Sequence, residues 1–353
     1  MTDVAAEPAS YTSPLLELAG GVTLPGPDAG IAAHYGDFAR EQRALVTAVG
    51  VVDRSNRGLL SIPGADRLSW LHSLTTQYLT ELGDGAGTEA LILSPHGHIE
   101  HHLQIADLGG TTWLDVEPGD AAATAEFLTR MRFMLRVDVV DQSAEYGQLT
   151  VCGPGSDELV RSLGIDLAAD AWAATTTPFG GYARRLPWPG GGAKDVVVPR
   201  VALPEVWQQL TGAGGVPAGS WAWDALRVVD RRPRLGFETD HRTIPNESTW
   251  LQDAVHLQKG CYRGQETVAR VNNLGRPPRR LVLLHLDGST NDLPAHGADV
   301  TVDGVRVGFV TSSARHHELG PIAMALIKRS TSDDAALLAG DVSASIEPVE
   351  HAL

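Results

Sequence analysis

The pattern of hydrophobic residues changes near residues 276–279, and this change limits the possible folds more than any other feature of the sequence. Before it, segments with helical periodicity and segments with strand alternation follow one another in mixed order. The Arg-Pro-Pro-Arg sequence at 276–279 interrupts regular structure, and only short strand patterns follow it. The mixed order predicts an α+β body. The short strands predict a small antiparallel β-barrel or sandwich after the body.

The predicted elements divide the body into two similar halves. A strand, a turn and a helix recur in the same order in each half, although no sequence repeat is evident. The expected segments are a flexible start (1–25), a first α+β half (26–145), a second α+β half (146–275) and a C-terminal barrel (276–353). Strands are expected over 98–105 and 136–140, and Asp303-Gly304 predicts a tight hairpin inside the barrel.

Composition limits the classes of function. Acidic residues outnumber basic ones by 43 to 28, giving a net charge of −15, which disfavours broad binding to nucleic acid or to anionic membranes. The two cysteines cannot form a disulfide framework, so a reducing, cytoplasmic setting is expected. No signal peptide and no membrane-spanning segment is expected from the hydropathy pattern.

The segment 258–270, with the sequence QKGCYRGQETVAR, has the composition of a functional loop. Glycines at Gly260 and Gly264 flank Cys261 and allow close approach of a ligand. Cations at Lys259 and Arg263 favour the thiolate, which is the reactive form of cysteine. The alternative is a buried cysteine in a glycine-rich turn, because free cysteine often packs as a small hydrophobic residue. The chemistry of the segment alone leaves both interpretations open.

The same segment resembles a family signature. Lys-Gly-Cys-Tyr-x-Gly-Gln-Glu at 259–266 is similar to the motif of the YgfZ-type folate-binding proteins, relatives of the glycine-cleavage T protein. The resemblance implies a T-protein-like body with a C-terminal barrel, a tetrahydrofolate ligand, and partners among iron–sulfur enzymes or their assembly proteins. An effect on tRNA modification would be indirect.

The resemblance implies a role for each residue of the motif. Cys261 is the functional thiol. The residues expected to shape the loop or to contact the ligand are Lys259, Gly260, Tyr262, Arg263, Gly264, Gln265, Glu266 and Arg270. A non-enzymatic accessory factor is the expected function, and the alternative is a folate-dependent one-carbon transferase of the aminomethyl type.

Arginines are concentrated ahead of the barrel. Ten arginines and Lys259 lie between residues 227 and 280, against six acidic residues. This excess predicts an anion site, because guanidinium groups bind carboxylates and phosphates with two hydrogen bonds. The alternative is that the arginines pair with acids on exposed faces. By resemblance, Arg227 belongs to the folate-site helix, but Val229 stands where T proteins carry a glutamate.

Four histidines cluster at His96, His98, His101 and His102. The T-protein enzymes carry paired aspartates in the corresponding stretch, and histidines occupy those positions here, which argues against aminomethyl transfer. On a single strand, His96, His98 and His102 would share one face. A packed or exposed histidine cluster is favoured over a metal site, and no metal is expected. The other cysteine, Cys152, is expected to be structural.

Overall fold

The computed structural model describes residues 11–189, 192–289 and 292–348. The chain packs into two compact units. Among the described residues, unit 1 comprises 11–93, 100–223 and 254–263, and unit 2 comprises 94–99, 224–253 and 264–348. Cys261 therefore belongs to unit 1, with residues 254–263, whereas the chain from Gly264 onward belongs to unit 2. The division of the chain predicted from the sequence stays a prediction.

The N-terminal part of the body contains a five-stranded sheet with the strand order β3-β4-β5-β2-β6 in the described chain. The hydrophobic core of this sheet contains Trp70 of a neighbouring helix and four fully buried side chains, those of Leu60, Ile62, Leu103 and Leu114. The elements of this part are α1 (Leu15–Ala19), α2 (Phe38–Thr47), β1 (Gly50–Asp53), β2 (Gly58–Pro63), α3 (Arg67–Leu74), β3 (Ala86–Leu93), β4 (Ile99–Leu108), β5 (Thr111–Val116), α4 (Ala121–Arg130) and β6 (Val140–Asp141).

The next part of the body forms a six-stranded sheet within the described residues, with the order β11-β1-β7-β10-β9-β8. Strand β1 pairs parallel with β11 and antiparallel with β7, so the sheet is mixed. Val151, Val196 and Trp207 contribute to its core. The elements are β7 (Tyr146–Cys152), α5 (Ser156–Ser162), β8 (Ala174–Thr176), β9 (Tyr182–Arg185), β10 (Ala193–Pro199), α6 (Leu203–Gly212), β11 (Val216–Ala218) and α7 (Ser220–Val229).

Unit 2 contains a closed barrel with the strand order β12-β15-β14-β13-β16-β17 among the residues described. Asp303 and Gly304 both have positive φ and join Val302 to Val305, which is the hairpin predicted from the sequence. The elements after α7 are α8 (Trp250–Asp253), α9 (Gln265–Leu274), β12 (Arg279–Leu286), β13 (Asp299–Val302), β14 (Val305–His316), β15 (Gly320–Lys328), β16 (Leu337–Ala339) and β17 (Val342–Ile346).

The fold class predicted from the sequence, an α+β body followed by an antiparallel barrel, is confirmed. Two strand boundaries were wrong. Strand β4 begins at Ile99, because His98 closes the preceding turn by accepting the N–H of Ser94. In the stretch 136–140 only Val140 is in a strand, because the Arg136 N–H donates to the Asp66 carboxylate instead of to a neighbouring strand.

Buried charges connect the two sheets of unit 1. Arg184 on β9 is fully buried and donates to Asp115 on β5 and to Asp195 on β10. Asp115 also accepts from Arg57. Burial alone would raise the pKa of Asp115, but the charges of Arg57 and Arg184 outweigh burial and lower it. None of the helices in the described ranges is long and apolar enough to cross a membrane.

Candidate functional site

The two cysteines occupy opposite environments. Cys261 is exposed on the loop that precedes α9. Cys152 is buried at the end of β7, where its Sγ donates to the Leu45 carbonyl at 3.5 Å. The structure therefore presents the thiol of Cys261 to solvent and keeps that of Cys152 in the core, as the sequence predicts for Cys152.

Lys259 fixes the loop two residues before Cys261. Its ammonium is buried and donates to the carbonyls of His72, Thr75 at 2.6 Å and Gln77 at 2.9 Å. These carbonyls lie at and just beyond the last turn of α3, where helix carbonyls lack partners and cations are favoured. Burial lowers the pKa of Lys259 to about 8. The Lys259 ammonium also lies 5.3 Å from the centre of the buried Tyr262 ring.

Arg263 and Gly264 shape the other side of the loop. Arg263 forms an ion pair with Glu100 at 3.0 Å, and its guanidinium lies 5.5 Å from the centre of the Phe127 ring. Gly264 has a φ of +81° at the N-terminus of α9. An added Cβ there would lie 2.6 Å from the Ser94 carbonyl oxygen, so the position requires glycine. The turn after β3 therefore packs directly against the backbone of Gly264.

The remaining residues of the motif differ in their surroundings. Gly260 is exposed, and an added Cβ would meet no atom within 4 Å. Gln265 is the first residue of α9 and is partly buried, whereas Glu266 and Arg270 are exposed on that helix. A folate contact at Gln265, Glu266 or Arg270 stays a prediction.

Arg227 on α7 is buried and fully engaged inside unit 2. Its guanidinium donates to Asp224 at 3.0 Å, to Glu238 at 2.9 Å and to the Ser312 hydroxyl at 2.8 Å. It also donates to the Arg232 carbonyl at 2.9 Å. Burial opposes the positive charge, but Glu238 and Asp224 outweigh it and raise the pKa of Arg227. These contacts hold Arg227 in a structural position, and its predicted contact with folate stays a prediction.

Most of the other arginines of the basic segment also pair with acids. Arg279, for example, contacts Asp240 at 2.6 Å and Glu247 at 2.8 Å. This pairing matches the alternative interpretation of the basic segment, in which its charge is neutralised locally. Within the basic segment, the arginines that form ion pairs in the described chain are Arg227, Arg231, Arg232, Arg234, Arg242, Arg263, Arg279 and Arg280.

The histidines do not share one strand face. His96 and His98 lie in the turn before β4, with ring centres 6.2 Å apart. On β4, the Nδ1 of His101 lies 3.0 Å from Asp120, and the Nε2 of His102 lies 2.9 Å from Glu89. Each imidazole on the strand therefore has a carboxylate partner. No group of three His, Cys, Asp or Glu side chains in the described ranges is arranged to hold a metal ion.

A pocket of about 710 Å³ opens in unit 1 beside the N-terminus of α4. Arg57 and Arg200 line it, and each has a buried guanidinium nitrogen without a hydrogen-bond partner in the described structure. The guanidinium of Arg200 stacks 3.8 Å from the centre of the Tyr11 ring. The other lining residues are Asn56, Gly58, Gly119, Ala121, Ala122, Asp141, Ser143 and Ala144.

The sequence did not indicate this pocket. Arg57 and Arg200 lie far apart in the chain and outside the basic segment at 227–280. Strand β7 pairs antiparallel with both β1 and β10, so the segment after β1, which carries Arg57, and the segment after β10, which carries Arg200, lie at the same end of the sheet. No local motif marks either arginine, so the only available signal was the general preference of arginine for anions.

Comparison with known proteins establishes the family. Residues 10–259 match the GCVT N-terminal domain, and residues 279–350 match the glycine cleavage T-protein C-terminal barrel domain. The chain belongs to the glycine cleavage T-protein family. The two matched regions cover the body and the barrel of this T-protein relative, so family membership and the observed fold agree.

Individual relatives support the family assignment. The T-protein relative described here is 30% identical over 300 residues to an aminomethyltransferase of Rubrobacter xylanophilus, covering 81% of this chain and 78% of that protein. It is 28% identical over 283 residues to a chloroplastic protein of Arabidopsis thaliana that is provisionally named a transferase, covering 76% of this chain and 62% of that protein.

A solved structure shares the fold of this T-protein relative. The glycine cleavage system aminomethyltransferase T from Bartonella henselae aligns with a TM-score of 0.84 over 95% of each chain, at 19% sequence identity. At this identity the likeness concerns the T-protein fold alone. The T-protein-like body and barrel predicted from the sequence are therefore confirmed.

Proposed function

We propose that this T-protein relative is a folate-binding accessory factor that supports the assembly or maintenance of iron–sulfur enzymes through the thiol of Cys261. The observation that carries the proposal is the exposure of Cys261 on a loop fixed on both sides. Lys259 anchors the loop on one side, and Gly264 determines its exit into α9 on the other. A thiol held in this way is accessible to a partner protein.

The pocket beside α4 is compatible with a folate. Its volume of about 710 Å³ lies within the roughly 300–1,000 Å³ that is usual for small-molecule sites. The unpartnered nitrogens of Arg57 and Arg200 suit the carboxylates of a glutamate tail, and the exposed Asp141 suits the N–H donors of a pterin. Tetrahydrofolate, when bound, would supply a reduced pterin and one-carbon chemistry. The residues of this chain would bind and orient it.

The partners of the two histidines argue against aminomethyl transfer as the principal activity. By resemblance, histidines occupy the apparent positions of the paired aspartates of T-protein enzymes in the stretch 97–102, and within it His101 contacts Asp120 and His102 contacts Glu89. Replacing the paired aspartates by imidazoles removes the carboxylates that such transfer is expected to require. The accessory role would lie in a reducing, cytoplasmic compartment. Any effect on tRNA modification would be indirect, because the net charge of −15 disfavours direct binding to RNA.

The first test is anaerobic calorimetric titration with tetrahydrofolate. The wild type and Cys261→Ser should bind with the same affinity, because the thiol serves the partner and not the folate. Iodoacetamide should label Cys261 and leave the buried Cys152 unlabelled in the native protein, as mass spectrometry would show. Absence of saturable folate binding by the wild type would refute the folate part of the proposal.

The second test is made in cells from which the gene has been deleted. The wild type and Cys152→Ser should restore the activity of an iron–sulfur enzyme such as aconitase, and Cys261→Ser should not. Equal restoration by all three chains would remove the thiol from the proposed function.

The relatives named aminomethyltransferase favour a second candidate, a folate-dependent one-carbon transferase. The pair of His101 and Asp120 would then act as acid and base. Turnover of methylene-tetrahydrofolate by the purified wild type, lost in His101→Gln and retained in Cys261→Ser, would replace the accessory-factor proposal by this candidate.

A further inference from the structure

We propose that the pocket beside α4 contains an oxyanion subsite formed by Arg57, Arg200 and the N-terminus of α4. Its ligand is a carboxylate or a phosphate. If the oxyanion is the carboxylate tail of a folate, the subsite specifies how the folate of the proposed function is bound, and this assignment then rests on the proposed function. A free phosphate would use the same donors, and the experiment below separates the two sources.

The donors of the two arginines are the first support. Arg57 is buried, and its Nε and Nη1 donate to Asp115 and to Glu117, the latter at 3.1 Å. Its Nη2 has no partner, nor does the Nη1 of Arg200. A buried charged donor without an acceptor is costly, and both residues line the pocket, so an acceptor next to these two nitrogens would be favourable. A planar guanidinium binds an oxyanion with a directional N–H.

The charge of Arg200 is the second support. Its Nε and Nη2 donate only to carbonyl oxygens, those of Ser55 at 2.8 Å and Ser143 at 2.7 Å. The Tyr11 ring covers its face at 3.8 Å and fixes its orientation. No carboxylate of the described chain forms an ion pair with Arg200. The buried carboxylate of Asp53 attracts Arg200 without forming an ion pair with it, so the positive charge of Arg200 can also attract a ligand.

The N-terminus of α4 is the third support. The helix has ten residues, and Ala121 and Ala122 of its first turn line the pocket. The side chain of Asp120 does not cap the helix but contacts His101. The first N–H groups of a helix lack internal partners and carry a partial positive charge. The N–H groups of the first turn point out of the N-terminal end of the helix, where a phosphate or a carboxylate is favoured.

Four acids lie near the pocket, and each has a partner or is exposed to solvent. Asp120, at the N-terminus of α4, contacts His101 and accepts from the Thr124 hydroxyl. Asp115 and Glu117 are paired with Arg57, and Asp115 is also paired with Arg184. Asp141 lines the pocket, but it is exposed and accepts from the Ser143 N–H at 2.9 Å. Solvent therefore screens the charge of Asp141.

The test uses Ala122→Asp in the full-length protein. Ala122 is exposed, and an acidic residue in the first turn of a helix favours the helix, so the variant should fold. The new carboxylate would occupy the oxyanion position and repel an incoming anion. Ala123→Asp is the matched control, because Ala123 is exposed on the same turn but does not line the pocket. Circular dichroism would verify that both variants are folded.

Calorimetry at constant ionic strength would use three probes: tetrahydrofolate, 6-methyltetrahydropterin (which lacks the carboxylate tail) and inorganic phosphate. Ala122→Asp should weaken the binding of tetrahydrofolate about tenfold or more, as expected for loss of a charge-assisted hydrogen bond. It should leave the binding of 6-methyltetrahydropterin unchanged, and Ala123→Asp should behave as the wild type.

The outcomes distinguish the subsite from the proposed function. Tetrahydrofolate binding that is equal in wild type and Ala122→Asp, with no binding of phosphate, would overturn the subsite and leave folate binding intact. Phosphate binding that Ala122→Asp abolishes, without any binding of tetrahydrofolate, would support the subsite with phosphate as its ligand and overturn the folate proposal. Absence of binding by both probes would overturn both.

Discussion

At the scale of single residues, the two cations on either side of Cys261, Lys259 and Arg263, have structural partners. Lys259 binds three carbonyls and Arg263 binds Glu100, so neither cation is held only by solvent. From the sequence, both were expected to act on the thiolate. In the structure they fix the backbone on either side of Cys261. The motif therefore encodes the position of the thiol as well as its identity.

Replacing Lys259 by Met should destabilise the protein. The change removes the ammonium and leaves the buried carbonyls of His72, Thr75 and Gln77 without this donor. Loss of the charged hydrogen bonds should lower the free energy of unfolding by about 2 kcal/mol or more. Urea denaturation at pH 7 would measure it.

The matched control is Lys328→Met. Lys328 is exposed and donates to a single carbonyl, that of Arg306, at 3.2 Å. Its replacement should change the free energy of unfolding by less than about 0.5 kcal/mol. Equal effects of the two substitutions would show that Lys259 does not anchor the loop.

At the scale of elements, short turns and helix ends position residues of the candidate site and of the body. Helix α9 begins directly after Gly264, whose backbone contacts the Ser94–Gly97 turn. Helix α5 is held to two strands by Asp157 in its first turn. Both connections depend on one residue, so each can be tested by one substitution.

Gly264→Ala should disturb the start of α9, whereas Gly260→Ala should not. A Cβ at Gly264 adds left-handed backbone strain and a clash with the Ser94 carbonyl oxygen. The expected loss of stability is about 2 kcal/mol. A Cβ at Gly260 meets open space, and a change below about 0.5 kcal/mol is expected. Thermal unfolding of the two variants would measure the difference. Equal stabilities would contradict the packing seen at Gly264.

Asp157 should contribute to the acid sensitivity of the protein. Its hydrogen bond with Arg185, together with Lys194, lowers the pKa of Asp157 from 3.8 to about 2. A carboxylate with a lowered pKa in the folded state stabilises the protein above the unfolded pKa, and this contribution is lost as the pH falls. The contribution of Asp157 should therefore disappear between about pH 4 and pH 2.

The measurement compares Asp157→Asn with the wild type by urea denaturation over this pH range. The wild type should be more stable at pH 6, and the difference should shrink towards zero near pH 2. Glu158→Gln, at an exposed position on the same turn, should show no such trend. A difference that is independent of pH would indicate that Asp157 does not titrate as described.

At the scale of the whole molecule, buried charges determine how the body is assembled. The network of Arg57, Asp115, Arg184 and Asp195 joins the two sheets of unit 1. A buried ion pair adds little net stability over a hydrophobic pair. Removing one of its two partners, however, leaves the other charge buried and uncompensated. The network therefore favours the correct pairing of the sheets and makes the body sensitive to substitution there.

Asp115→Asn should be among the most destabilising conservative substitutions in unit 1. It leaves Arg57 and Arg184 without a shared carboxylate in a buried environment. The expected loss is about 3–5 kcal/mol, measured by urea denaturation. Asp138→Asn removes an exposed pair with Arg132 and should cost less than about 1 kcal/mol. If Asp115→Asn were as mild as this control, the network would have no role in stability.

Much of the fold could be predicted because it depends on local patterns. The Asp303-Gly304 turn, for example, could be predicted because an Asp-Gly pair readily adopts the two positive φ values that a tight hairpin needs, and the structure has both. The strand predicted over 136–140 was wrong, because the Arg136 N–H donates to the side chain of Asp66, a distant partner that no local pattern reveals. Cys261 could be selected from the sequence because its glycine-rich surroundings are unusual for a core cysteine.

Periodicity and turn chemistry were enough to predict the α+β body and the C-terminal barrel, and a contiguous motif was enough to select Cys261 as a candidate residue, because each of these depends on residues close together in the chain. Which charges have partners became visible only in the folded chain. The tertiary structure paired eight arginines of the basic segment with acids, and it left donors of Arg57 and Arg200 unpartnered beside α4. The physical reason is that the pairing of a charge depends on strands and helices distant in sequence, which meet only when the chain folds.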